Sequence, residues 1–207
     1  MEVRRATVAD LDAAAAVLGA AFADYPWTRW TVDARDHVWR ITALQRLALE
    51  RYGLAFGEVW LATVDDAITS VAVWMDSAAT IPDAVHDGCR GEVAWLEGSR
   101  HSASVAAERE LDGSRPSERH YFLATVGTVP AMQRVGIGRA VLTPVLAVAD
   151  RDNVLAALET SSPSNVSFYS QLGFDVVESR TISGGGPDVW AMRRVPHHPL
   201  LHQPRSA

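Results

Sequence analysis

Between His120 and Ala149 the chain reads HYFLATVGTVPAMQRVGIGRAVLTPVLAVA, and the residues in it whose spacing suggests chemistry are Gln133, Arg134, Gly136, Gly138 and Arg139. A helix entered through glycines leaves its first N–H groups free. Together with the positive end of the helix dipole they form an anion site. Arg134 and Arg139 add formal charge at the same end, and no Asp or Glu occurs between Glu118 and Asp150. In a chain of net charge −6 that gap marks a local electropositive mouth, suited to a pyrophosphate. The same spacing also fits an ordinary strand-to-helix turn. A Walker loop is excluded because the chain has no Lys, and a Rossmann loop because three spaced glycines and a later acidic residue are missing.

The elements that must position this stretch can be read in order. Residues 121–129 are rich in β-branched and aromatic types and end at Pro130, which predicts a buried strand before the loop and a helix over 137–149. Upstream, Glu2 to Arg5 alternates as a first strand, and Thr7-x-x-Asp10 predicts a capping box opening a helix over 9–22. Pro26 is expected to break that helix, leaving Ala23 to Asp33 as a loop that carries Trp27 and Trp30 either as ligand contacts or as a small satellite core. A second helix over 36–52 stops at Gly53, and Glu58–Val64 and Ala67–Met75 flank Asp65-Asp66 as an antiparallel hairpin. Asp76 to Ser117 holds one or two helices. Downstream come an apolar run over 153–159, a helix over 163–172 with Ser162-Pro163 at its start and Gly173 at its end, a strand over 174–179, a turn over 184–187 and a strand over 188–195 that closes the sheet.

Length and composition set the outer bounds. The 207 residues suit one domain over 1–195, with 196–207 as a loose tail. No apolar run spans a membrane, the N-terminus carries no apolar signal core, and the single Cys89 builds no internal disulfide, so a cytoplasmic protein is expected. The acidic balance weighs against nucleic acid as a partner. Without Lys there is no Schiff-base chemistry. His86, Cys89 and His101 match no metal-site spacing, so no metal is expected.

Two motifs in sequence order make the resemblance specific. Gln133, Gly136 and Gly138 follow Q/R-x-x-G-x-G/A, and ALETSSPSNVSFYSQLGF, residues 157–174, places Asn165, Phe168, Tyr169, Leu172, Gly173 and Phe174 in a helix like N-x-x-A/S-x-x-x-Y followed by L/Y-G-F. This resembles the GCN5-related N-acetyltransferase (GNAT) superfamily. More narrowly, AAFADYP, VAVW, FLATVG, LETS and FY-x-x-LGF resemble that superfamily's puromycin N-acetyltransferases, from about residue 3 to residue 194. The resemblance implies an α/β (α+β) fold: a central mixed, mostly antiparallel sheet with two splayed strands, flanked by helices, and acetyl-CoA wedged between the splayed strands.

It also implies roles. Backbone groups of Val126, Gly127 and Thr128 would pair with the pantetheine arm, Asn165 would bond it, and Arg134, Val135, Gly136, Ile137, Gly138 and Arg139 would hold the pyrophosphate. Tyr169 would protonate the departing thiolate, Glu159 would take the amine proton, and a backbone N–H near Gly127 or Thr128 would stabilise the oxyanion. Asp24, Tyr25, Trp27 and Trp30 would line the acceptor side. Tyr169 is equally readable as a core aromatic and Glu159 as a strand-end carboxylate. Arg134 and Val135 stand where the family commonly has glycine and a basic residue, and Trp27 and Trp30 depart from the puromycin-type pattern. The expected activity is direct acetyl transfer to a primary amine of a small molecule, with a puromycin-like aminonucleoside as leading acceptor and drug resistance as one role. Acetylation of a peptide or protein N-terminus, or non-catalytic acyl-CoA sensing, are the alternatives. A monomer or homodimer is expected.

Overall fold

Asp65 and Asp66 both take left-handed backbone angles, with φ of 49° and 62°, as a tight two-residue hairpin loop requires and as Asp tolerates better than most residues. They join β2 (Glu58–Val64) to antiparallel β3 (Ala67–Asp76), the hairpin expected from the alternation. The computed structural model describes residues 1–197, so the expected tail falls, from residue 198 on, outside the described residues. Seven strands form one sheet in the order β1-β2-β3-β4-β5-β7-β6, with β1 at Glu2–Arg5, β4 at His120–Thr128, β5 at Leu155–Thr160, β6 at Asp175–Thr181 and β7 at Asp188–Arg194. Every neighbouring pair is antiparallel except β4 and β5. The last strand does not close the sheet at an edge. β7 buries Val189, Ala191 and Met192 and inserts between β5 and β6, while the more polar β6 takes the edge.

Alternate residues of β3 face two separate layers. Ala72 and Trp74 pack under α7 (Ile137–Asp152), against Val141, Leu142 and Val145. Val71 and Val73 pack under α1 (Leu11–Phe22), against Leu18 and Leu61. A single 3-10 turn, Val8–Asp10, precedes α1, and the Asp10 carboxylate accepts from the Thr7 N–H at 2.8 Å and from both terminal nitrogens of Arg4. α3 (His37–Ala48) lies so close to α1 that a Cβ on Gly19 would sit 2.0 Å from Thr42 Oγ1. α5 (Asp83–Glu97) and α6 (His101–Leu111) fill the stretch between β3 and β4, and α8 (Pro163–Ser170) follows β5.

Two readings are corrected. Residues 23–33 are not a loop: Pro26 opens a helix, α2 (Pro26–Thr31), because its fixed φ and missing N–H suit the first helical position as well as they disrupt a helix interior. Gly53 does not stop the second helix, since α3 continues through a π turn at Leu49–Gly53 into α4 (Leu54–Phe56). Gly53 serves packing instead, as a Cβ there would meet Val59 and Val73 at 3.0 and 3.2 Å. Smaller shifts follow the caps: α7 runs to Asp152 and ends on left-handed Asn153, which delays β5 to Leu155. Among the described residues no helix is long and apolar enough to cross a membrane.

Candidate active site

The parallel pair β4–β5 is short. It runs from His120 opposite Leu155 to Leu123 opposite Leu158, and then the strands part: Glu159 and Thr160 stay with β7, while residues 125–128 stay with β3. At the fork the register of β4 slips, with Thr125 opposite Val73 and Leu123 opposite Trp74, so Ala124 is an extra residue. A bulge bends a strand and re-aims its edge groups, and here it turns the free edge of β4 into the gap. This is the splayed pair that the resemblance implies. Gly127 lies on that edge with α1 pressed against it, since a Cβ there would be 2.8 Å from Ala21 Cβ and 3.0 Å from Leu18 Cδ2. The neighbouring Thr128 hydroxyl is 2.9 Å from Ser70 Oγ.

At the wide end of the fork stands the loop of residues 133–139. Gly136 caps α7 with φ of 90°, and a Cβ there would meet only open space. Arg134 also holds a left-handed φ, 64°. Gln133 Nε2 donates to Thr128 O at 3.1 Å, pinning the loop to the end of β4, and Arg139 Nη2 donates to Gln171 O at 3.2 Å. No protein acceptor serves the N–H groups of residues 134–139 among the described residues. Val135 is exposed, whereas Ile137 turns into the core. Unpaired N–H groups on an open-faced, left-handed glycine cap fit the phosphates of an acyl-CoA.

Asn165 and Tyr169 fall one helical turn apart on α8 and face the fork together. Asn165 Nδ2 donates to Thr160 Oγ1 at 3.2 Å, and its Oδ1 has no protein donor among the described residues. Tyr169 is 6% exposed, packed edge-on against Phe174, and its hydroxyl has no protein partner among the described residues. Burial, aided by the nearby Tyr25, pushes its pKa well up, so the phenol stays protonated.

The fork opens into a cavity of about 660 Å³, within the range of small-ligand sites. Tyr25, Trp27, Tyr52 and Phe122 give it aromatic walls. The Tyr25 phenolic oxygen accepts from the Ser161 N–H at 2.6 Å and lies 3.0 Å from Thr160 Oγ1, while Trp27 N donates to Ser161 Oγ at 3.1 Å, so α2 is fastened to the end of β5. Tyr52, on the π turn, lies 3.3 Å from His86 Nδ1 and beside buried Cys89; burial, then Cys89, raises its pKa. Glu159 also lines the cavity. One of its oxygens lies 3.4 Å from Arg115, and the other is buried with no partner among the described residues. Burial raises its pKa against the pull of Arg115.

Two residues expected at the site stand elsewhere. Asp24 is exposed and paired with Arg29 at 3.2 Å, away from the cavity wall. Trp30 lies behind the wall with Ala107, Leu111, Ile182 and Val189, and Trp27 bridges that satellite cluster and the cavity. One residue was missed. Glu108 of α6 lines the cavity, with its side chain still open to solvent. Partial desolvation by the surrounding protein, and then the like charge of Glu159, raise its pKa against the pull of Arg115. In sequence Glu108 is one acid among several on a polar helix, and only the placement of α6 distinguishes it. His86 and His101 are engaged by Tyr52 and Glu97, with His101 Nδ1 2.6 Å from the Glu97 carboxylate.

Comparison with known proteins bears on the fold. No protein-family profile matches the chain. Over 94 residues it is 30% identical to N-alpha-acetyltransferase 50 of Danio rerio, a stretch making up 44% of this chain and 55% of that protein, so the chain spans about half the length of this relative. Among solved structures it resembles histone acetyltransferase HPA2 and related acetyltransferase from Corynebacterium glutamicum, with a TM-score of 0.72 and 23% identity over 96% of this chain and 98% of that one. It also resembles an agmatine N-acetyltransferase, with a TM-score of 0.60 and 14% identity over 94% and 98% of the two chains. The fold is that of the GNAT acetyltransferases.

Proposed function

We propose that the protein is an acetyl-CoA-dependent N-acetyltransferase that moves the acetyl group directly to a primary amine of a small molecule, with a puromycin-like aminonucleoside as leading acceptor. The observation that carries this reading is the convergence, at one fork in the sheet, of a partner-free phenol, Tyr169, and a half-satisfied carboxylate, Glu159. The chemistry asks for one of each. Glu159 accepts a proton from the bound ammonium, freeing the nitrogen lone pair. The C–N bond then forms, the carbonyl oxygen gains negative charge, and a backbone N–H near Gly127 or Thr128 stabilises it. As the C–S bond breaks, Tyr169 donates its proton to sulfur, and the second amine proton makes good that loss. Asn165 Oδ1 and the free edge of β4 hold the pantetheine arm, and the N–H groups of residues 134–139 hold its pyrophosphate.

A second reading, acetylation of a peptide or protein N-terminus, is favoured by the partial likeness to N-alpha-acetyltransferase 50. Release of thiol from acetyl-CoA tests both readings, with puromycin, a panel of simple amines and a short peptide with a free N-terminus as acceptors. Fast release with puromycin supports the first reading, and release with the peptide alone supports the second. Binding of acetyl-CoA with no transfer to any amine would overturn both in favour of an acyl-CoA sensor.

A further inference from the structure

The charged groups on the cavity wall do not balance. Apart from the phenols and His120, the titratable side chains lining it are Asp76, Glu108, Arg115 and Glu159. Asp76 is neutralised from outside the cavity by Arg119, at 2.7 Å. That leaves two carboxylates and one guanidinium. Arg115 lies 3.4 Å from Glu159, and its guanidinium lies 4.2 Å from the centre of the Phe122 ring. An unbalanced acidic group is not a binding site by itself. Here it faces a cavity large enough for a ligand, and the nine-tenths-buried Tyr169 presents an unpartnered hydroxyl to the same space.

We infer that the cavity is built for an acceptor carrying a single positive charge on a flat apolar body, with Glu108 reading the ammonium and Arg115 positioning Glu159. The inference rests on the acetyltransferase reading for its reacting end and deepens it on the acceptor side. Phe22, Tyr25, Trp27, Tyr52 and Phe122 supply the apolar walls, and aromatic faces favour cations as well as flat rings. One net negative charge is satisfied by one ammonium. A neutral guest leaves a carboxylate of the cavity wall without a counter-charge, a dication brings one charge too many, and an acceptor with its own carboxylate meets two like charges. When the ammonium passes its proton to Glu159, Glu108 and Arg115 remain as a balanced pair. The cavity therefore stays neutral through the step.

The test is equilibrium binding in the presence of CoA, by calorimetry and by the fluorescence of the wall residue Trp27, using phenethylammonium, its neutral isostere phenethyl alcohol, the zwitterion phenylalanine and the dication para-xylylenediammonium. The wild-type protein is expected to bind phenethylammonium at least about tenfold more tightly than the other three. Glu108→Gln should weaken the ammonium about tenfold and leave the alcohol unchanged, and Glu108→Asp, which keeps the charge, should retain the preference. Arg115→Gln should shift the preference toward the dication. Equal binding of ammonium and alcohol by the wild-type protein, or an equal loss of both in Glu108→Gln, overturns the inference. Acetyl transfer from acetyl-CoA, measured in parallel with phenethylammonium and puromycin, separates the two failures. Charge-selective binding without transfer to any amine sinks the acetyltransferase reading alone, and transfer with charge-blind binding sinks this inference alone.

Discussion

Tyr169 and Glu159 share a fork in the sheet, yet burial acts on them in opposite functional directions. In the proposed reaction, raising the phenol's pKa keeps its proton in place until a thiolate forms to receive it. Raising the carboxyl's pKa makes it a better base than a solvated glutamate. Replacing Tyr169 with Phe removes the proton and nothing else of size. Its expected effect is a kcat lowered about ten- to a thousandfold with unchanged acetyl-CoA affinity, seen by comparing turnover with calorimetric binding. Unchanged turnover would return Tyr169 to the core aromatics. As the proposed base, Glu159 would work only when ionised, so kcat/KM should rise with pH through a value above the ordinary carboxylate range and then level. In Glu159→Gln that acid limb disappears from the pH-rate profile, and its persistence would assign the base elsewhere.

At the scale of elements, the interfaces differ in what they tolerate. α1 meets β4 across Gly127, where no side chain fits, so Gly127→Ala must push the helix off the strand that borders the fork. A loss of about 1–3 kcal/mol in urea unfolding is expected, with weaker acetyl-CoA binding. α7 meets β7 through charge. Arg194, 5% exposed, donates to both oxygens of Asp150 at 2.7 and 2.8 Å, and Asp150 also accepts the His197 N–H. Hydrogen bonding from Arg194 holds the Asp150 pKa below its ordinary value. A depressed carboxyl stabilises the fold above its unfolded pKa, and that contribution is lost as pH falls through the folded value. Asp150 is 27% exposed, so Arg194→Met should cost about 2 kcal/mol near neutral pH, less than a fully buried pair, and much less in acid. A pH-independent loss would point to packing instead.

For the whole molecule, the short parallel seam matters most. β1 to β4 and β5 to β7 meet in the sheet through four residue pairs only, so a ligand wedged beyond them joins the halves a second time. Acetyl-CoA at a hundred times its Kd should add about 2.7 kcal/mol. For a domain of this size that is a rise in Tm of about 5–11 °C by scanning calorimetry. No rise would remove the ligand from the fork.

Much of this frame was legible in the chain. Paired aspartates between alternating runs marked the hairpin, and Ser162-Pro163 with Gly173 marked α8, because those signals are local backbone preferences. The glycine-entered start of α7 was legible for the same reason. What was not legible depends on contacts distant in sequence. The bulge at Ala124 arises where β4 leaves a partner about 35 residues away in sequence, the insertion of β7 depends on which strand is more apolar, and Glu108 acquires its setting from Glu159 and Arg115. Pro26 misled because one residue type both ends helices and starts them.

The buried Cys89 on α5 has a practical consequence. The sole thiol in the chain is 4% exposed and lies against Tyr52 of the cavity wall. A disulfide reagent can reach it only while α5 lifts away, so its labelling rate is a clock for the breathing of that wall. If α5 and Tyr52 close over the acceptor, occupancy will slow the clock in proportion, giving affinities for molecules that are never acetylated.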